Sequence, residues 1–204
     1  MAKPRITCKP DGPYLLEGGA GVRRSSGQTW PAAESVALCR CGGSTRKPFC
    51  DGTHRRNGFT DANLADGTKN KRQAYPGKRI TILDNRAICA HAGICTDKLA
   101  SVFRYGEEPW IVPDGAAADE IMETIRQCPS GALSYAEARP LERAPMITVT
   151  ADGPYAVTGG IELDGVPFGD GASREHYTLC RCGASKNKPF CDGSHWDAGF
   201  KDPT

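Results

Sequence analysis

Short alternations of hydrophobic and polar residues run through both ends of this chain. They occupy residues 6–19 and 147–160, where an Asp-Gly-Pro turn interrupts each segment, and they predict short strands buried on one face. The segments at 30–38 and 177–179 also favour strand over helix. Both ends of the chain are therefore expected to form small, β-rich units.

The middle of the chain carries a different pattern. Residues 116–128 place two isoleucines and a cysteine on one face of a helix, with Asp114 or the following glycine as the expected cap. Residues 101–105 and 110–112 are expected to be strands on either side of a turn. The chain as a whole is thus expected to be α+β.

The two ends are copies of each other. Residues 6–19 match 147–160, and residues 38–54 match 179–195, both at an offset of 141 positions. The offset persists to the Gly-Phe pairs that follow each copy, so roughly 55 residues are duplicated without a gap. Any site in one copy is therefore expected to recur in the other.

The composition of the chain leaves few hydrophobic residues for a core. Of 204 residues, 24 are glycine, 15 are proline and 39% are hydrophobic, and such small units usually need extra cross-links. The ten cysteines can supply them. Neither a signal peptide nor a stretch of ~20 apolar residues is recognisable, which predicts a reducing, cytoplasmic location. There, clustered cysteines more often bind metal than form disulfides.

The duplication sorts most of the cysteines into two sets. Cys8 aligns with Val149 and is interpreted as a small buried hydrophobe. A short helix opened by Asp51 is expected to bring together the last two ligands of the first set. The same donors suit structural zinc, although a Cys-x-Cys pair is short for one tetrahedral ion. The pattern Cys-x-Cys-x8-Cys-x3-His predicts the ligands Cys39, Cys41, Cys50 and His54 in the first copy and Cys180, Cys182, Cys191 and His195 in the second.

The residues around these ligands suit a negatively charged centre. Nearby glycines let the backbone approach sulfur, and backbone N–H groups stabilise negative charge. The hydroxyl groups of Ser44 and Ser185 are also expected to donate hydrogen bonds to sulfur.

Three further cysteines form a third predicted site. Cys89 and Cys95 precede Cys128, and a Cys-Pro pair such as Cys128-Pro129 is a feature that closes cysteine sets in ferredoxins. Three thiolates suffice for a 3Fe–4S cluster, which is the preferred interpretation. A 4Fe–4S cluster would need His91 or solvent as its fourth ligand, and His91 also suits an ordinary loop residue.

These motifs resemble known iron–sulfur families. The run Cys-Asp-Gly-Ser-His at 191–195, and its variant with threonine at 50–54, resembles the CDGSH iron–sulfur domain. That resemblance implies a 2Fe–2S cluster in each copy, with the histidine on the outer iron. The middle segment resembles divergent single-cluster bacterial ferredoxins. The resemblances imply CDGSH domains at 1–74 and 145–204 flanking a ferredoxin-like α+β domain at 75–144.

These sites predict an electron carrier rather than an enzyme. No nucleotide-binding or hydrolase motif accompanies the two 2Fe–2S clusters and the 3Fe–4S or 4Fe–4S cluster. A neutral imidazole ligand removes negative charge, so it raises the potential and can couple electron uptake to proton uptake. The alternatives are a redox sensor or cluster donor, which would exploit the lability of a histidine ligand, and a structural metal-binding module.

The charge balance predicts a protein partner. A net charge of +2 disfavours nucleic acid and membranes, so a reductase or electron acceptor is expected. Arg40, Arg181, Lys47 and Lys188 flank the ligands and could dock an acidic partner, although solvated loop charges are the simpler interpretation. The two copies are expected to pair within the chain about a pseudo-twofold axis, which would make a monomer sufficient.

Overall fold

The computed structural model describes residues 3–68, 70–136 and 143–202. These ranges contain short strands, two short α-helices and single turns of 3-10 helix at Thr53–Arg55 and Arg86–Ile88. The strands are β1 Arg5–Cys8, β2 Tyr14–Glu17, β3 Gly21–Arg24, β4 Thr29–Trp30, β5 Ser35–Leu38, β6 Gln73–Pro76, β7 Thr81–Asp84, β8 Leu133–Tyr135, β9 Met146–Val149, β10 Tyr155–Thr158, β11 Glu162–Asp164 and β12 Tyr177–Leu179; the helices are α1 Ile94–Lys98 and α2 Ala118–Arg126.

The two copies build their sheets from each other's strands. One sheet has the order β11-β1-β2-β5 and the other β12-β10-β9-β3-β4. Strand β11 of the second copy pairs in parallel with β1, and β3 of the first copy pairs in parallel with β9. Arg5 lies opposite Glu162 and Gly21 opposite Met146, which are equivalent pairings at the offset of 141. The repeats therefore interlock about a pseudo-twofold axis.

Both copies contribute side chains to one core. Alternate residues of each strand point into it. At its centre the rings of Tyr14 and Tyr155, both fully buried, meet edge to face with centroids 6.1 Å apart. Each copy therefore depends on the other for its buried surface. The surrounding buried side chains are Ile6, Leu16, Val22, Leu38, Ile147, Val157, Leu163 and Leu179.

The position of Cys8 gives a first testable prediction. Cys8 packs against this core, and burial raises the pKa of its thiol. Since its counterpart Val149 is buried in the equivalent strand, Cys8→Val is expected to change the free energy of unfolding by less than about 1 kcal/mol. Thermal unfolding and iron analysis of the variant test this, and loss of iron would show that Cys8 contributes to a metal site.

The middle segment folds around a smaller core of its own. Strands β6-β7-β8 form an antiparallel sheet, and the predicted helical face of α2 buries Ile121 and Ile125. Ile82, Phe103 and Leu133 complete this cluster. Small sheets with few helices agree with the expected α+β class.

The predicted start of α2 is wrong. The helix follows Ala117, whose N–H donates to the Glu120 carboxylate at 3.1 Å and so secures the first turn. Asp114 instead accepts a hydrogen bond from the Lys78 N–H at 2.8 Å, because it lies against the β6–β7 turn.

The strands expected at 101–105 and 110–112 are reduced to one β-bridge, between Phe103 and Ile111. Only their central peptide groups pair, because the chain turns away on both sides of the bridge. Neither α-helix of the described ranges has the length and apolar composition needed to cross a bilayer.

Candidate metal centres

The first Cys3His set lies where β5 ends. The Cys39 N–H donates to the Pro48 carbonyl at 2.7 Å, and the Cys50 N–H donates to a β5 carbonyl at 2.9 Å. These bonds hold the Cys-x-Cys segment beside the Cys-x3-His segment. The Sγ atoms of Cys39 and Cys41 are 3.9 Å apart, and Cys50 Sγ lies 3.4 Å from His54 Nδ1. The four predicted ligands therefore meet in one hairpin as two close pairs.

The second set repeats this arrangement. Cys180 and Cys182 have Sγ atoms 3.8 Å apart, and Cys191 Sγ lies 3.5 Å from His195 Nδ1. Two donors on one tetrahedral ion lie roughly 3.3–3.8 Å apart when the bonds are ~2.0–2.3 Å. Each pair therefore has the separation expected of two donors to one metal ion. No three His, Cys, Asp or Glu side chains of the described residues converge on a single-ion site.

The ligand loop is fixed by a turn rather than by the helix expected to open at Asp51. The 3-10 turn begins at Thr53, after Gly52 in a left-handed conformation. The Asp51 carboxylate accepts hydrogen bonds from the N–H groups of Thr53 at 3.0 Å and Thr45 at 2.9 Å. Asp51 therefore ties together two parts of the loop around Cys50.

In the two Cys3His sets, backbone N–H groups face cysteine sulfur atoms. Gly52 N lies 3.5 Å from Cys50 Sγ, and Ala184 N lies 3.4 Å from Cys182 Sγ. The prediction for Ser44 and Ser185 is wrong, since each hydroxyl donates to a phenylalanine carbonyl at 2.7 Å. The reason is that each hydroxyl closes the turn carrying the third cysteine.

Burial makes several of these thiols hard to ionise without a metal. It raises the pKa of Cys39 to about 11 and that of Cys191 to about 12, against the opposing effect of backbone N–H groups. The hydrogen bond between the Cys180 and Cys182 thiols raises the pKa of Cys180 and lowers that of Cys182 to about 7. A bound cation would stabilise the thiolate forms of these clustered cysteines, so the donor chemistry fits a metal centre.

Two tyrosines that the sequence reasoning missed connect the sets. The Tyr14 hydroxyl donates to the carbonyls of Cys180 and Pro189, each at 2.9 Å, and Tyr155 makes the equivalent bonds to the first copy's loop. Each copy thus positions the ligand loop of the other. The available signal was the shared Gly-Pro-Tyr in the repeat.

The interpretation of Arg40, Arg181 and Lys188 as solvated loop charges is wrong. Their exposed fractions are 3%, 1% and 7%, because each lies under the loops and bonds inward. Arg40 pairs with Asp61 at 3.1 Å, and Arg181 pairs with Asp202 at the equivalent position. These cations stabilise the hairpins rather than offer a docking surface.

The three central cysteines line one cavity of about 640 Å³. Cys89 follows the 3-10 turn at 86–88, Cys95 lies in α1, and Cys128 follows α2. Burial, followed by the proximity of the other two thiols, raises the pKa of Cys95 to about 11. The predicted donors therefore line the same cavity, and their chemistry fits an iron–sulfur cluster held by these three residues.

Arg86 contacts one of the central thiols, and the sequence did not predict this contact. Its Nη1 lies 3.5 Å from Cys89 Sγ, its Nε lies 3.5 Å from the Asp84 carboxylate, and its guanidinium carbon lies 3.7 Å from the centre of the Trp110 ring. It brings positive charge to the central thiols. No motif distinguishes this arginine in the sequence.

His91 lies at this cavity and also reaches the second Cys3His set. A β-carbon on Gly193 would be 2.8 Å from its Cδ2 atom, and its carbonyl accepts a hydrogen bond from Trp196 Nε1 at 3.2 Å. Its assignment as a fourth ligand stays a prediction.

Asp84 should make stability depend on pH. Burial raises its pKa to about 6, against the effect of Arg86. Because the unfolded value is ~3.9, the folded state binds the proton more tightly, and stability is lost as pH rises through about 4 to 6. The free energy of unfolding of Asp84→Asn, relative to that of the parent, is expected to rise over this range by about 3 kcal/mol, as followed by thermal unfolding of both proteins at several pH values. A difference that does not change with pH would contradict this.

Sequence comparison follows the same three-part arrangement. Residues 11–55 and 152–196 match the family described as iron-binding zinc finger, CDGSH type. This chain is a CDGSH-type iron-binding protein. Between the copies, residues 75–138 match the family described as divergent 4Fe–4S mono-cluster. Both predicted resemblances are thereby confirmed, and the chain is an iron–sulfur protein.

The CDGSH-type protein is also similar to "Uncharacterized protein YjdI" of Escherichia coli, in strains K12 and O157:H7. Each is 38% identical to it over 63 residues, covering 31% of this chain and 83% of the relative. The family description of the central segment names a four-iron cluster. The preference for 3Fe–4S and the domain boundaries stay predictions.

Proposed function

We propose that this CDGSH-type protein is an electron carrier, not an enzyme, that passes single electrons between a reductase and an acceptor protein. The observation that supports this is that a few shared residues link the three donor sets in one chain. Tyr14 and Tyr155 brace the two ligand hairpins against each other, and His91 joins the central cavity to the second hairpin. Two 2Fe–2S clusters and a central cluster would supply one-electron chemistry when bound.

The chain's own residues would set the charge and accessibility of these centres. Cys39 and Cys180 are each 1% exposed, which limits the access of water to one side of each set. Arg86 lies beside Cys89 in the central cavity. His54 and His195 each replace a thiolate by a neutral ligand, so less negative charge opposes reduction.

Exchanging the histidines tests this role. His54→Cys and His195→Cys are each expected to lower the reduction potential of the altered set by on the order of 100 mV, because a thiolate adds negative charge. The altered sets should also keep iron to lower pH, since a protonated imidazole releases its metal. EPR-monitored redox titration and iron analysis after acid exposure measure both effects.

Reversible reduction with full recovery of visible absorbance is the result expected of the unaltered carrier. Unchanged potentials in both variants would contradict the assignment of the histidines as ligands. Zinc in place of iron, with no redox titration, would favour the structural module instead.

The partial exposure of His54 favours one alternative, a cluster donor or redox sensor. A donor would transfer iron and sulfide to an apo-ferredoxin, and His54→Cys would suppress that transfer. Transfer faster than electron exchange would support this alternative over the carrier.

A further inference from the structure

The two Cys3His sets are nearly identical in sequence but differ in their surroundings. His195 is 4% exposed, whereas His54 is partly exposed. The Trp196 ring lies against the His195 ring with centroids 5.1 Å apart, and Trp196 also bonds to the His91 carbonyl. His91 of the central segment and Trp196 therefore pack around the turn that carries His195, and Trp196 is itself 64% exposed.

The equivalent face of the first set is open. Gly193 lies against His91, but a β-carbon on its counterpart Gly52 would have no atom of the described residues within 4 Å. Instead, Gly52 lines a surface cavity of about 880 Å³ together with Cys50, His54 and Arg55. A partner can therefore approach His54 closely but not His195.

Charge separates the two faces in the same way. The first face carries Lys9, Arg46, Arg55 and Arg56, all exposed. At the offset of 141 the second copy has Thr150, Asn187, Trp196 and Asp197 at these four positions. The reverse exchange occurs twice, where Thr45 corresponds to Lys186 and Thr60 to Lys201. The acidic residues Asp11 and Asp51 recur in both copies as Asp152 and Asp192, so they do not reduce the contrast.

We infer that the face around His54 is the docking surface of this protein and that its partner is an acidic redox protein. This inference rests on the proposed carrier function for the partner's redox character. The second set, whose histidine is buried, serves inside the molecule. A positive rim around an accessible site attracts an acidic partner and steers its approach.

A redox-inert trianion, hexacyanocobaltate(III), probes the surface independently of electron transfer. Calorimetric titration of the iron-loaded protein at low salt is expected to show binding that weakens at least about tenfold in the double variant Arg55→Trp/Arg56→Asp, which copies the second set. A charge change on the other face, Asp197→Asn, serves as the control and should leave this binding within about twofold. Equal effects of the two changes, or no anion binding, would overturn the docking surface.

Oxidation of the reduced protein provides the second measurement. The anionic oxidant hexacyanoferrate(III) is expected to react at least about tenfold more slowly with Arg55→Trp/Arg56→Asp at low salt, while the cationic oxidant hexaammineruthenium(III) should not be slowed. Equal slowing of both oxidants would overturn the inference. Failure of the parent protein to undergo reversible reduction would refute the carrier function, and the anion titration would still decide the docking surface.

Discussion

Replacing Asp202 with alanine is expected to lower the free energy of unfolding by about 3–5 kcal/mol. The Asp202 carboxylate is 1% exposed and pairs with Arg24 at 3.0 Å and with Arg181, whose side chain is fully buried. Without Asp202, both guanidinium groups would lose their anion in a poorly solvated environment. The expected decrease in melting temperature is roughly 10 °C, measured by calorimetry on the iron-loaded protein.

The pseudo-symmetry supplies a matched control for this prediction. Asp61 is the counterpart of Asp202, but it is 31% exposed and pairs with Arg40. Asp202 pairs with two arginines, Arg181 and Arg24. The position that corresponds to Arg24 is a glycine, at 165, so Asp61 has no equivalent second arginine. Asp61→Ala is expected to lower stability by only about 1 kcal/mol. Equal losses in the two variants would show that burial of the pair is not the cause.

Replacing Gly42 with alanine is expected to lower stability by about 2–4 kcal/mol and to disturb both Cys3His sets. Gly42 has a φ of +74°, and a β-carbon there would overlap the Cys182 carbonyl across the pseudo-twofold axis. The second loop would have to move with the first. We expect changed EPR spectra from both sets, although only the first copy carries the substitution.

Gly58→Ala separates this overlap from backbone strain. Gly58 has a φ of +69°, and a β-carbon there would meet no atom of the described residues within 4 Å. Its replacement should therefore lower stability by only about 1 kcal/mol and leave both EPR spectra unchanged. If Gly42→Ala behaves like Gly58→Ala, the two ligand loops are not in the contact described.

Local spacing explains why the donors could be predicted from the sequence. Cys39 and Cys41 are two residues apart, and Cys50 and His54 are four apart, so turns of the chain bring each pair together. The repetition of the motif at a constant offset excluded Cys8 in the same way. These inferences needed no knowledge of distant contacts.

Contacts between distant segments were predicted less well. The alternation of hydrophobic and polar residues in a strand is the same whether the strand pairs within its own copy or with the other copy. The pairing of β3 and β11 with strands of the other copy therefore depends on the shape of the shared core. Arg40 and Arg181 were misinterpreted for a related reason. From the sequence alone, a charged residue is interpreted as solvated. In the fold, Asp202 lies beside Arg181 although the two are 21 positions apart.

Ligand spacing and repetition are local properties of the chain, so they were sufficient to predict the three donor sets and to identify the duplication and the iron–sulfur families. Only the folded structure shows that the two sets differ in exposure. Trp196 lies against the His195 ring and His91 lies against Gly193, whereas a β-carbon on Gly52 would have no atom of the described residues within 4 Å. The physical reason is that exposure and charge around a site depend on which distant segments pack against it.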